Sequence, residues 1–223
     1  MKTDQTINFD TQKLTVSNDR WTVVLWFESR YAENKIIETK SYTKTIDLNE
    51  TGELSSLLAI EITNNRGDTT SCLITGIDGG SYLYIADDKN KSQSVKLLSD
   101  NLILSLGFTF FSFSIDKQEI EWKLRPDMAE VFEFYDLHDD YLLRGELEIH
   151  RITRNGNVKW SYGGRDIWVN IDGKKEVHIE NDKIILTDFE GNVYVIDFNG
   201  QTLEDRPFVR IKENRNKWWQ LWK

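Results

Sequence analysis

The chain has 223 residues, a single cysteine, and 37 acidic against 28 basic side chains, for a formal net charge of −9. That balance excludes a broad electrostatic grip on nucleic acid, which needs clustered Lys and Arg. One cysteine excludes an internal disulfide and a cysteine-built zinc site, and no run approaches the roughly 18 apolar residues of a membrane helix. Met1-Lys2-Thr3-Asp4-Gln5-Thr6 lacks the charged-then-apolar pattern of a secretory leader, so the chain is expected to be soluble and cytoplasmic. Eight Trp, 11 Phe and 8 Tyr with only two Pro favour strands.

Residues 1–20 are polar and are expected to be edge-like or loosely held. Trp21-Thr22-Val23-Val24-Leu25-Trp26-Phe27 is the first clear strand, and residues 35–39 and 42–46 are predicted strands after it. Residues 54–62 read two ways. Residues 53–59 suit one helical turn, while Ala59-Ile60-Glu61-Ile62 alternates like a strand. Asn64-Asn65-Arg66-Gly67-Asp68 is a turn cluster. Residues 72–77 and 82–85, split by Asp78-Gly79-Gly80, read as a hairpin and an earlier, degenerate copy of the repeat described next. Cys72, inside an apolar run, is expected to be a buried hydrophobe and not a reactive thiol. Asp87-Asp88-Lys89-Asn90 lacks the spacing and glycine of a calcium loop.

From residue 91 the chain repeats itself. Residues 95–98, 102–107, 110–115 and 119–124 make four short strands. Residues 131–134, 141–145, 146–152 and 158–162 make four more. Residues 176–179, 183–188, 193–198 and 201–203 make a third set. Matched positions on the second strands fall at Leu102, Leu142 and Ile185, spacings of 40 and 43 residues. Four strands at that period predict an all-β, propeller-like array of four-stranded antiparallel units. Three units are clear and four to five fit the length. Seven or eight would need a longer chain, so the ring would be small or incomplete; a β-sandwich of the same hairpins is the alternative. Asn155-Gly156 and Asn199-Gly200 are strong hairpin signals. The expected organisation is one domain: a polar segment 1–20, divergent repeats 21–90, clear repeats 91–205, and a Trp-rich segment 206–223.

Residues 90–205 resemble degenerate quinoprotein-type propeller repeats. The family pattern runs from a strand ending in Leu-Asp-like residues, through a Gly, to a Trp four positions on. Gly156 and Trp160 keep the spacing. Gly191-Asn192-Val193-Tyr194-Val195-Ile196-Asp197 and Gly200 keep strand and glycine, with Glu204 where the Trp belongs. Ile115-Asp116 and Trp122 keep the ends, with Gln118 in place of the Gly. The resemblance implies tryptophans packed between units, so Trp122 and Trp160 are expected in the core or at a docking seam. No polar set suited to a quinone stands in the chain, and no cofactor is expected.

Catalytic motifs are missing from the sequence: there is no phosphate loop, no Gly-x-Ser-x-Gly elbow and no His-Glu-x-x-His. Ser114 and Ser161 have no catalytic sequence context. His138, His150 and His178 are scattered, and neither a catalytic nor a metal role is expected for them. Acidic residues gather between Glu130 and Glu148. Glu146 and Glu148 are expected on one strand face, opposite Leu147 and Ile149. With Asp139 and Asp140 they form the first partner-binding candidate. The second is Trp218, Trp219 and Trp222, which would serve either as an exposed anchor or as a cap on the array.

These features predict a non-enzymatic protein-binding module, in its sharper form an acidic cytoplasmic inhibitor or immunity protein neutralising a basic toxin domain. One competing expectation is a hydrolase of a carbohydrate-like substrate using two facing carboxylates, one with a displaced pKa. Another is a structural module of a larger assembly. No nucleic-acid or membrane partner is expected.

Overall fold

The computed structural model describes residues 13–28, 42–48, 56–77, 82–88, 91–170 and 173–209, and among these it holds 17 strands in four sheets and no helix. The chain divides into two compact units, Met1–Gly163 and Gly164–Lys223.

The first sheet of the first unit contains β1 (Lys13–Ser17), β2 (Trp21–Glu28), β3 (Lys44–Asp47), β4 (Ser56–Asn64) and β5 (Thr69–Ile77), in the order β1-β2-β4-β5-β3. All pairs are antiparallel except β3, which lies parallel on β5. β1 draws part of the polar N-terminal segment into the sheet. Leu14 and Val16 alternate into the core, and two inward apolar side chains suffice to seat an edge strand. The ambiguous residues 56–62 are strand because both faces are covered. Leu58, Ile60 and Ile62 join the main core, and Ala59 packs with Trp26 and Leu73 on the other side.

The hairpin expected over residues 72–85 does not form. β5 instead folds back on β4 across Asn64–Asp68, where Gly67 adopts φ +89° and the Asn64 carboxamide oxygen accepts from the Arg66 and Asp68 N–H groups. β3 takes the other edge of β5, so neither edge is left for residues 82–85. Residues 82–85 belong to no strand, although the Tyr84 carbonyl accepts from the N–H groups of Ser94 and Val95. The strand predicted at 35–39 lies outside the described residues.

The clear repeats fold as meanders. The second sheet is β6 (Val95–Leu98), β7 (Asn101–Leu106), β8 (Thr109–Ser114) and β9 (Glu119–Leu124). The third is β10 (Val131–Leu137), β11 (Asp140–Gly145), β12 (Glu148–Thr153) and β13 (Val158–Gly163). In the second unit, β14 (Val177–Ile179), β15 (Lys183–Thr187), β16 (Val193–Asp197) and β17 (Thr202–Arg206) make the fourth. Each is a four-stranded antiparallel sheet in chain order, the form of a propeller blade, so the scaffold resemblance holds at the level of the units.

β7 and β8 are buried on both faces, which is why they read as runs of Leu, Ile, Phe and small Ser. Leu102, Leu104, Phe111 and Phe113 pack against the first sheet, with Val23, Leu25, Leu58, Ile60 and Cys72. Ile103 and Phe110 pack against the third, with Phe134, Tyr141, Leu143 and Ile152. The Phe110 ring centre lies 5.2 Å from that of Phe134 and 5.5 Å from that of Tyr141. Each fully buried Phe or Leu contributes roughly 1.5–3 kcal/mol of transfer free energy. These two layers therefore hold the first unit together without a staple.

The last hairpin of each sheet turns on a residue with positive φ: Gly67 (+89°), Gln118 (+52°), Gly156 (+79°) and Gly200 (+79°). In the three clear repeats a bulge follows in the last strand pair, as a type I turn closing on a left-handed residue requires. Gln118, which replaces the repeat glycine, keeps the glycine's backbone. Its side chain ties the turn to β5 through Nε2 donating to Thr70 Oγ1 at 2.8 Å.

The second unit has its own small core. Trp168 is fully buried and meets Tyr194 edge-on at 5.6 Å. The buried Asp188 carboxylate accepts from the Asn192 backbone and side chain and from the Tyr194 hydroxyl. Arg165 grips Asp205 with both Nη atoms, at 2.6 and 2.5 Å.

Candidate interaction groove

Within the first unit, β3 ends the first sheet and β9 ends the second, and each has a hydrogen-bonded neighbour on one side only among the described residues. The two strands flank a groove of about 490 Å3, lined by Lys44, Ile46, Asp47 and Leu48 on one wall and residues 119–123 on the other. Ile46 and Ile120 are half-buried and Leu48 is buried, giving an apolar strip; Asp47, Glu119, Glu121 and Lys123 are exposed on the rims, and the β9 bulge turns the Trp122 side chain to the core shared with the third sheet. Lys44 Nζ lies 3.3 Å from Glu119 Oε1, and Lys123 Nζ donates to the Leu48 carbonyl at 3.4 Å. Both pairs span the same 75 residues, so the strands run side by side in one direction.

Trp122 packs between the second and third sheets. Its ring meets Phe110 edge-on at 5.3 Å and lies against Gly156 of the β12–β13 turn. This is the inter-unit packing expected for the repeat tryptophan. Trp160 is half-buried on β13, paired in register with Arg151. Sequence reading missed the groove, although Glu119-Ile120-Glu121-Trp122-Lys123-Leu124 carries its signal: strict charged–apolar alternation marks a strand with one wet face.

The predicted acidic residues do not form one patch. Asp139 is exposed in the β10–β11 turn. Asp140 is buried, 3% exposed, and its carboxylate takes Arg151 Nε at 2.6 Å and Lys159 Nζ at 2.7 Å. Glu146 and Glu148 are half-buried, and the expected alternation fails between them. β12 begins only at Glu148, so Leu147 is exposed and not paired inward with Ile149. Asp127 fixes this bend: its Oδ2 accepts the N–H groups of Leu147 and Glu148, each at 3.0 Å. Trp218, Trp219 and Trp222 lie outside the described residues.

The carboxyl groups with displaced titration are each paired with a cation. Burial pushes the Glu133 carboxyl up, but the Arg144 guanidinium and the Tyr135, Tyr84 and Ser92 hydroxyls outweigh it and hold it below its ordinary value. Burial likewise opposes ionisation of Asp136 and Asp140 and is outweighed, by Lys96 and Arg154 for the first and by Lys159 and Arg151 for the second. A glycosidase-type acid must be held protonated near neutral pH; these carboxylates are displaced the other way. Cys72 is fully buried and its thiol is pushed up to about 11 by burial, the state of an inert structural thiol.

His150 is fully buried on β12, and its Nδ1 lies 2.8 Å from Ser161 Oγ on β13, a neighbour the sequence spacing concealed. Its Nε2 has no hydrogen-bond partner among the described residues. His138 sits in the β10–β11 turn at φ +54°, and His178 is exposed, 3.9 Å from Glu180. Among the described residues, no three His, Cys, Asp or Glu side chains gather to hold a metal ion.

No protein-family model matches the chain, and no curated protein matches it. Among solved structures, it is similar to the AfRom2 CNH domain at 10% identity and a TM-score of 0.46, over 92% of this chain and 56% of that one. It is also similar to BamB from Moraxella catarrhalis at 10% identity and a TM-score of 0.43, over 86% of this chain and 62% of that one. The chain therefore spans about three fifths of the length of these neighbours, and likeness at this level bears on neither activity nor partners.

Proposed function

We propose that the chain is a non-enzymatic protein-binding module for a basic partner, acting as a cytoplasmic inhibitor of the immunity-protein kind against a basic toxin domain. The groove between β3 and β9 carries this reading. It sets Ile46, Leu48 and Ile120 as an apolar strip between charged rims, the make-up of a protein-interaction surface. The net charge of −9 favours a basic partner, since a complementary field speeds encounter and disfavours acidic competitors. Among the described residues, the carboxylates with displaced titration are paired with cations and shifted away from the protonated state that the hydrolase alternative needs.

Affinity capture with the tagged full chain in its native cells tests the proposal. The expected result is one stoichiometric basic protein whose retention weakens with salt. The inhibitor form further requires that the captured protein be toxic when expressed alone and harmless when co-expressed with this chain. No stable partner, or an acidic one, would remove the reading.

A further inference from the structure

We draw no further inference here: the strongest candidate, the exposed apolar patch of Met128 and Leu147 where the β9–β10 connection meets the bend before β12, carries nothing because nothing in the structure shows what covers it.

Discussion

Gly156 lies flat against Trp122: a Cβ on residue 156 would stand 2.7 Å from two carbons of the indole. The glycine belongs to the last hairpin of the third sheet and the tryptophan to the last strand of the second. One contact thus sets the spacing of the two sheets. The glycine is needed twice there, for close approach and for its φ of +79°.

Gly156→Ala should therefore cost about 2–4 kcal/mol, combining a left-handed backbone penalty with overpacking. Chemical denaturation of the single variants and of the double variant with Trp122→Ala separates the two contributions. In the Trp122→Ala background only the backbone penalty should remain. An undiminished cost there would show that the ring contact is not the cause.

Gln118 holds a left-handed conformation that costs a non-glycine residue about 1 kcal/mol, and its bond to Thr70 returns a similar amount. Gln118→Gly should accordingly change stability by no more than about 0.5 kcal/mol. Gln118→Val, which loses the bond and adds a β-branch at positive φ, should cost about 2 kcal/mol. Thermal melts of the two variants give the comparison.

Asp127 accepts three backbone N–H groups, from Ala129, Leu147 and Glu148, while only 9% exposed. Asp127→Ala should cost about 2–3 kcal/mol, since buried donors left without partners carry a full desolvation penalty. The Asp127 Oδ2 also stands 2.7 Å from where a Cβ on Gly145 would be. Gly145→Ala should thus be less damaging in the Asp127→Ala background than alone, measured by urea unfolding of the four chains.

His150 gives the fold an acid sensitivity. Burial lowers its pKa from 6.5 to about 4, and the nearby Asp127 carboxylate only partly opposes this. The unfolded imidazole takes up a proton near 6.5 while the folded one stays neutral, so stability falls as pH drops from about 6.5 to about 4. The loss is roughly 3 kcal/mol. Glu133, Asp136 and Asp140 are depressed, so their contribution is lost only at lower pH, as each protonates. His150→Gln should flatten the slope between pH 6.5 and 4.5 in denaturant titrations; an unchanged slope would assign it elsewhere.

The repeat spacing, the Asn-Gly turns and the alternating strands are local properties, and they were legible in the sequence alone. Period-two patterning and turn chemistry are encoded within a few residues, so the all-β class and the three clear four-stranded units follow from residue order. Gly156, Gly200 and Trp122 could be picked out by spacing. What lies between sheets was decided by tertiary structure, because it joins residues far apart in the chain. Asp140 reads as one more surface acid until β12 and β13 bring Arg151 and Lys159 onto it. Leu147 reads as inward until Asp127 bends the chain. The downstream glycines promised a hairpin until β4 and β3 took the two edges of β5. The groove, too, exists only because two strands 75 residues apart run side by side, and no local pattern encodes which sheet edges will face each other.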